Sequence, residues 1–198
     1  MLLSQDEARF RMVPSLRAAL GVKGHRVEVG TRDCQDAVSV FGVLDVVTGA
    51  VHATTQESRQ WGNRKGGVSK TGRMQRAFAR HLRHVARMYP RERHRRVVLI
   101  TDNAPWHRGA VVDEARRSCP HLELYRLPSY SPRLNVIERF WKALRWRAAH
   151  NRLFDTLADL KRAVRDGLRY FQTVRSPVRS LIRDCYTTVA NRTASPGS

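Results

Sequence analysis

The chain has 198 residues, enough for one domain with a substantial core, and its apolar content of 41% is that of an ordinary globular fold. Because 37 Lys and Arg residues outweigh 17 Asp and Glu residues, the formal charge is +20, which favours a polyanionic partner, DNA or RNA ahead of an acidic membrane. No run approaches the ~18 consecutive apolar residues of a membrane span and the N-terminus lacks a signal-peptide core, so a cytoplasmic protein is expected.

The first half of the chain predicts strands around a turn and one long helix. Apolar, β-branched runs on either side of a Thr-Gly pair indicate a β-hairpin. The segment before them is rich in glycine and charge, which favours a loop. The predicted elements are a strand at 2–5 that ends at Asp6-Glu7, a loop at 8–36 with a helical turn at 15–20, hairpin strands at 37–47 and 50–56, a basic loop at 61–72 and a helix at 73–88.

The helix predicted at 73–88 carries two stripes of side chains. One stripe is apolar and is expected to pack, because its residues recur at helical spacing. The other contains only arginine, and two interpretations remain open for it: contact with the DNA backbone or a solvated charged face. The apolar stripe comprises Met74, Phe78, Leu82, Val85 and Tyr89, and the arginine stripe comprises Arg73, Arg76, Arg80, Arg83 and Arg87.

The second half of the chain alternates strands with helices. A continuous apolar run, VVLITD at 97–102, predicts a buried strand that stops at Asp102-Asn103. Parallel crossovers combined with an antiparallel pair predict an α/β fold with a mixed sheet flanked by helices. The other predicted elements are a helix at 108–118, a strand at 122–127, helices at 136–149 and 153–170, a weak signal from residue 176 and disorder at 193–198.

Two aspartates end predicted strands. Asp102 follows the buried run directly, and in open α/β sheets the carboxyl ends of the strands are where ligands bind. A simple turn after the strand is the alternative interpretation. Asp6, at the end of the first predicted strand, allows the same two interpretations.

Glu138 lies in the first turn of a predicted helix, after the proline-punctuated loop SYSPRLN. With Asn135 it forms the N-x-x-E pattern of a capping box, and Lys142 one turn later could pair with it, so capping alone explains this glutamate. The combination with Asp6 and Asp102 favours more. Three carboxylates in a basic groove can hold Mg²⁺, and two ions about 4 Å apart can support phosphoryl transfer.

Two segments carry a resemblance to a known family. LITDNAPWHRG and LYRLPSYSPRLNVIERFWKALR resemble the catalytic half of mariner-like bacterial insertion-sequence transposases, DDE superfamily endonucleases with an RNase H-like fold. The upstream QDEARFRMVPSLRAALGVKGHR and SVFGVLDVVTGAV are similar in the same order, so the resemblance covers about 1–172. It implies a five-stranded sheet, and catalytic, metal-binding roles for Asp6, Asp102 and Glu138. The domains expected are an RNase H-like catalytic domain at 1–172 and a partly disordered extension at 173–198.

The resemblance also implies an activity and partners. The activity is hydrolysis of a phosphodiester at an element end, followed by attack of the freed 3′-OH on target DNA, with two Mg²⁺ or Mn²⁺ ions. The partners are DNA, a separate helix-turn-helix recognition chain and a second copy of the chain on DNA. Full-length relatives carry the recognition region before their first aspartate, whereas this sequence begins five residues before Asp6. A split or truncated copy, with Asp6 held by a short strand, is therefore expected.

Three alternatives remain open. His107 could contact DNA or be a hydrogen-bonded histidine at a helix start. Lys142 is a candidate DNA contact as well as a partner for Glu138. The alternative function for the whole chain is a basic DNA-binding module that retains the fold without turnover.

Overall fold

The structure is a computed structural model, and it describes residues 1–13, 34–58, 69–128 and 135–183. The helical turn predicted at 15–20, most of the basic loop at 61–72 and the disorder predicted at 193–198 lie outside these residues. The strands are β1 (Leu2–Arg11), β2 (Ala37–Asp45), β3 (Val51–Ser58), β4 (Val97–Thr101) and β5 (Leu122–Arg126). The helices are α1 (Lys70–Met88), a 3₁₀ turn (Pro105–His107), α2 (Ala110–Arg117), α3 (Ile137–Ala148), α4 (Leu157–Thr173) and α5 (176–183).

The five strands form one mixed sheet in the order β3-β2-β1-β4-β5. β1, β2 and β3 are antiparallel neighbours, with β2 and β3 forming the predicted hairpin, whereas β1, β4 and β5 are parallel. The predicted mixed sheet of five strands is confirmed. Its order places β1 at the centre, between the antiparallel and the parallel halves.

β1 is longer than the sequence indicates. The prediction of a strand that ends at Asp6-Glu7 is wrong, because the strand runs for ten residues and pairs with β2 as far as Arg11 opposite Ala37. The continuation has the alternation of a strand with one covered face, since Phe10 is buried while Arg9 is exposed. Asp6 therefore lies inside the central strand, paired with Gly42 of β2, and the loose attachment expected for it is not found.

Helices cover both faces of the sheet. α1 and α2 pack on one face, where Phe78 and Leu99 belong to the same buried cluster. α3 and α4 pack on the other, where Phe140 and Leu160 are buried with residues of β1 and β2. α5, at a position where the sequence predicts no element, adds the buried Val178 to this second cluster. Successive residues of β1 thus face two different helical layers.

The helices begin where side chains can cap them. α1 starts three residues before the prediction, because Ser69 Oγ accepts a hydrogen bond from the backbone N–H of Gly72 at 3.0 Å. α4 starts four residues after the prediction, where Thr156 caps the N–H of Asp159 at 3.1 Å. Among the described helices, none has the length and apolar character needed to cross a membrane.

Candidate active site

Asp6 and Asp102 meet at the carboxyl edge of the parallel half of the sheet. β1 and β4 are paired in parallel with Ser4 beside Ile100, and this register, continued by two residues, places Asp6 level with Asp102. β4 ends at Thr101, so Asp102 is the first residue beyond the strand. The pair therefore occupies the edge where open α/β sheets bind ligands.

The Asp6 carboxylate lies on the face of the sheet that α3 covers. Trp141 Nε1 donates a hydrogen bond to its Oδ2 at 3.1 Å. Burial raises the pKa of Asp6 to about 7, and the charges of Glu7, Asp102 and Glu138 act in the same direction against an opposing hydrogen bond from the Glu7 backbone. The neighbouring charges that raise this pKa thus belong to carboxylates, two of which are the other predicted site residues.

A glycine makes room for the tryptophan that holds Asp6. Gly42 on β2 lies opposite Asp6 in the antiparallel register. A Cβ atom at this position would lie 2.5 Å from Cη2 of Trp141, far inside van der Waals contact. The absence of a side chain on β2 is therefore what allows the Trp141 ring to lie against the strands and reach Asp6.

One of the two carboxylate oxygens of Asp102, Oδ1, contacts other groups of the protein. This oxygen accepts a hydrogen bond from the backbone N–H of Ala104 at 3.0 Å and lies 3.1 Å from His107 Nδ1, which also contacts the backbone oxygen of Asp102 at 3.2 Å. The hydrogen bond from His107 lowers the pKa of Asp102 below its ordinary value, against the effect of partial burial. Oδ2 has no hydrogen-bond partner within the described part of the chain, and about half of the side chain is exposed, at 52%. This carboxylate is ionised, fixed at one oxygen and open at the other.

Glu138 lies in the first turn of α3, but the predicted capping box is wrong. The helix has Val136 at its N-cap with no side-chain hydrogen bond, and Asn135 is buried with its Oδ1 accepting from Ser4 Oγ at 2.6 Å. Asn135 therefore ties the start of α3 to β1 instead of capping the helix. The half-buried Glu138 carboxylate has no hydrogen bond or ion pair among the described residues, and the predicted pairing with Lys142 is not found there.

Charge interactions indicate that the three predicted carboxylates are neighbours, although among the described residues the group of possible ligands that meets at metal-ligand spacing is a different one. Atoms of Glu7, Asp102 and His107 lie within 4.8 Å of one another. Asp6 and Glu138 are outside this group, and they meet Asp102 through the charge interactions that raise the pKa of Asp6. Asp102 therefore belongs both to the group with Glu7 and His107 and to the group with Asp6 and Glu138, which lie on opposite faces of β1.

Glu7 is the site residue that the sequence interpretation omitted. The sequence predicts Glu7 only as part of a strand end beside the candidate ligand Asp6, whereas strand alternation places neighbouring side chains on opposite faces. That rule, applied to a longer β1, predicts that one carboxylate faces α3 and the other faces α1. His107 is 1% exposed and hydrogen-bonded, so the structure favours the interpretation as a structural histidine over direct contact with DNA.

The donor chemistry of the edge fits a divalent cation. Asp6, Asp102 and Glu138 offer carboxylate oxygens, the ligands that Mg²⁺ and Mn²⁺ prefer. Mutual repulsion contributes to the raised pKa of Asp6, and a cation among the three carboxylates would remove that repulsion. The Glu138 carboxylate and Oδ2 of Asp102 have no hydrogen-bond partner among the described residues, so both are available to bind the cation.

The predicted arginine stripe lies on the exposed side of α1, but its members differ in their contacts. Arg73 lines a cleft of about 200 Å³ together with Glu7 and Trp106, so the stripe begins beside the carboxylate edge. Arg80 donates to Gln56 on β3, and Arg83 lies 3.7 Å from Glu114 on α2. Arg76, Arg87 and Lys142 are exposed.

Comparison with known proteins gives one family and one fold. Residues 1–161 match the family described as DDE superfamily endonuclease. Over 173 residues the chain is 25% identical to an uncharacterized 39 kDa protein of insertion element IS630 from Shigella sonnei, covering 87% of this chain and 45% of that protein. The chain thus spans a little under half the length of this curated relative.

Solved structures of a mariner transposase share the fold. The Mos1 mariner paired end complex with Mn aligns with a TM-score of 0.59 at 17% identity, over 94% of this chain and 55% of that chain. The catalytic domain of Mos1 mariner transposase aligns with a TM-score of 0.56 at 16% identity, over 94% of this chain and 81% of that one. The predicted RNase H-like architecture is confirmed by this similarity and by the sheet order.

Proposed function

The chain belongs to the DDE superfamily endonucleases, and from this membership we propose that it cuts and joins DNA with divalent metal ions held by Asp6, Asp102 and Glu138. The observation that supports the proposal is the level position of Asp6 and Asp102 at one edge of a central parallel pair, with Glu138 near enough for its charge to raise the pKa of Asp6. The substrate proposed is a transposon end, by the kinship with an insertion-element protein. Hydrolysis would free a 3′-OH, and the same site would then join that hydroxyl to target DNA.

The residues of the chain would prepare the site in different ways. Two bound Mg²⁺ or Mn²⁺ ions would supply Lewis acidity toward the attacking and leaving oxygens of the phosphodiester. Asp102 presents an ionised oxygen from a carboxylate that is held at its other oxygen. Asp6 is oriented by Trp141 in a half-buried position, and Glu138 extends from the start of a helix tied to β1. Each ligand is therefore placed by a rigid element, which is the condition for positioning reactants.

The charge of the chain supports DNA as the polyanion. Arg73 borders the cleft beside Glu7, and the exposed Arg76, Arg87 and Lys142 are proposed to contact backbone phosphates. Arg80 and Arg83 already contact Gln56 and Glu114, so we assign them weaker roles in binding. Binding that depends on phosphate contacts weakens steeply with salt, and a flat salt dependence would contradict this assignment.

We also propose that recognition of the element end needs a helix-turn-helix segment in a second chain, and that two copies of this chain act together on DNA. The relative from insertion element IS630 is about twice as long as this chain, which leaves room in such proteins for a recognition region. Size measurement of the DNA complex by light scattering, with and without the added recognition segment, tests both statements.

Metal-dependent cleavage of pre-nicked element-end DNA tests the function. We expect Mg²⁺ or Mn²⁺ to permit nicking or strand transfer, and Asp102→Asn to abolish both while leaving the fold and DNA affinity intact. Asp113→Asn, which changes an exposed aspartate on α2, is the matched control and should retain activity. DNA binding without any cleavage, in the presence of a recognition segment and unchanged by Asp102→Asn, would instead identify a binding module.

A further inference from the structure

Glu7, His107 and Asp102 form a continuous chain of ion-pair contacts behind the carboxylate edge. His107 Nε2 lies 2.9 Å from Glu7 Oε1, and His107 Nδ1 lies 3.1 Å from Asp102 Oδ1. The His107 side chain is completely buried and that of Glu7 is 8% exposed. The imidazole therefore bridges a buried carboxylate on β1 and a half-exposed carboxylate after β4.

The far end of this chain is held rigidly. Gln5 Nε2 donates to Glu7 Oε1 at 2.9 Å, and Trp106 Nε1 donates to Glu7 Oε2 at 3.1 Å. The ring of Phe78 packs on His107 with centroids 4.3 Å apart. Both oxygens of Glu7 are thus occupied by donors of the protein, and the ring plane of His107 is fixed by packing.

The contacts of His107 make it a donor to both carboxylates. Its Nε2 faces a carboxylate oxygen of Glu7, and its Nδ1 faces both Oδ1 and the backbone oxygen of Asp102, so each ring nitrogen faces acceptors. An imidazolium with a proton on each nitrogen has no lone pair for a metal. The group of Glu7, Asp102 and His107 is therefore better explained as an ion-pair bridge than as a cation site, although its atoms lie within 4.8 Å of one another.

We propose that Glu7 is a positioning residue that acts through His107 to hold Oδ1 of Asp102, so that Oδ2 faces a divalent cation. This inference rests on the proposed function, since it assumes that Asp102 is a metal ligand. The backbone N–H of Ala104 holds the same Oδ1 at 3.0 Å, and Oδ2 has no hydrogen-bond partner in the described ranges. Partners behind a metal ligand typically change metal affinity or activity 10–100-fold when they are replaced.

A double-mutant cycle measured as Mn²⁺ affinity tests the proposal. We expect Glu7→Gln and His107→Gln each to weaken Mn²⁺ binding about tenfold in calorimetry, and the double variant to be no weaker than His107→Gln alone. Additive losses would show that Glu7 coordinates the cation itself, and would overturn the proposal. Glu114→Gln, which removes an exposed carboxylate on α2 beside Arg83, should leave the affinity unchanged.

The ligand atoms around Mn²⁺ give a second readout, which distinguishes a positioning role of His107 from direct coordination of the cation. Pulsed electron paramagnetic resonance of the Mn²⁺ complex should show no modulation from an imidazole nitrogen, and such modulation, lost in His107→Gln, would overturn the proposal. If His107→Gln does not fold, Trp106→Phe replaces it. Because Trp106→Phe removes one donor from Glu7, it should weaken Mn²⁺ binding by a smaller factor than Glu7→Gln does.

The controls separate this inference from the proposed function. If the wild-type chain binds no Mn²⁺, or Asp102→Asn does not reduce binding, the proposed metal site fails and the inference fails with it. If Asp102→Asn abolishes binding while Glu7→Gln leaves it unchanged, the metal site stands and only the positioning role is wrong. Circular dichroism and thermal melts in chelator establish that each variant is folded.

Discussion

Asp6 and Glu7 are adjacent carboxylates on one strand, and they have opposite surroundings. Glu7 faces α1 and receives hydrogen bonds from Gln5, Trp106 and His107. Asp6 faces α3 and receives one side-chain hydrogen bond, from Trp141. The charges that act on Asp6 include those of three other carboxylates, whereas Glu7 is paired with a cationic imidazole.

The difference distinguishes a carboxylate that completes the fold from one that is prepared for a ligand. A buried charge is stable when it is paired and its remaining oxygens are hydrogen-bonded, as they are for Glu7. A half-buried carboxylate beside like charges is strained unless an external cation joins it, which is the condition of Asp6. Replacing each of the two with its amide should therefore change the stability of the metal-free protein in opposite directions.

Asp6→Asn is expected to stabilise the metal-free chain, with the largest effect of the four predicted here. Because the folded pKa of about 7 lies above the ordinary 3.8, the folded state binds more protons between these values and wild-type stability falls as pH rises through them. The amide avoids this loss, at about 1.4 kcal/mol per pH unit and up to about 4 kcal/mol above pH 7. Urea melts in chelator at pH 4 and pH 8 measure the difference.

Three controls test whether the ionised Asp6 carboxylate causes this difference in stability. Well below the ordinary pKa of 3.8 the two proteins should be equally stable, because Asp6 is then neutral in the folded and the unfolded state. Added Mn²⁺ should stabilise the wild type and leave Asp6→Asn nearly unchanged. Asp166→Asn on α4, an exposed carboxylate 3.8 Å from Arg169, should change stability little at either pH. A destabilised Asp6→Asn variant at pH 8 would mean that the ionised Asp6 carboxylate is already compensated by the protein.

Glu7→Gln is expected to destabilise the protein by about 3 kcal/mol, since it removes the buried carboxylate partner of His107 and leaves the imidazole with the half-exposed Asp102 as its counter-charge. The loss should be present at pH 7, where His107 is protonated in the wild type. Chemical denaturation in chelator measures it, alongside Asp6→Asn under the same conditions. If both variants shifted stability in the same direction, the contrast between the two faces of β1 would be wrong.

Gly42→Ala is expected to cost about 2 kcal/mol, because the added methyl would lie 2.5 Å from the Trp141 ring. The ring must then move away from β1 and lose its hydrogen bond to Asp6. Trp141→Phe, which keeps an aromatic ring but has no N–H donor, separates the hydrogen bond from the packing. Denaturation midpoints and Mn²⁺ affinity should both fall in Gly42→Ala. Unchanged Mn²⁺ affinity would show that Trp141 does not orient Asp6.

The sequence predicts well those features that depend on residues close together in the chain. The continuous apolar run before Asp102 predicts both the strand β4 and the site at its end, because a buried parallel strand needs apolar residues on both faces. The hairpin of β2 and β3 follows from two apolar runs around Thr48-Gly49, and Gly49 has the positive φ of 71° that favours glycine. Asp102 at the end of an apolar run and Glu138 in the first turn of a helix are likewise recognisable from local spacing, whereas Asp6 lies inside β1 and not at its end.

The features that it does not predict depend on partners far along the chain. The role of Glu7 requires His107, 100 residues away, and no local pattern encodes that contact. The length of β1 is hidden by the charged Glu7 and Arg9, since the strand is stabilised by pairing with β2 along its whole length. The burial of Val178 in α5 likewise reflects packing against the rest of its cluster, not a signal in the segment itself.

Asn135 has both a local sequence pattern and a contact far along the chain, and its substitution is expected to give the smallest of the four changes in stability. Its N-x-x-E spacing predicts a helix cap, but its Oδ1 accepts from Ser4 Oγ at 2.6 Å across 131 residues. If Asn135 were a cap, Asn135→Ser would be neutral, because serine caps a helix as well as asparagine does. As a tether between α3 and β1 it is not replaced by serine, whose side chain is too short, and the loss should be about 1 kcal/mol. In denaturant melts, the stability losses of Asn135→Ser and Ser4→Ala should be non-additive. If Asn135→Ser left the stability unchanged, Asn135 would be a helix cap and not a tether between α3 and β1.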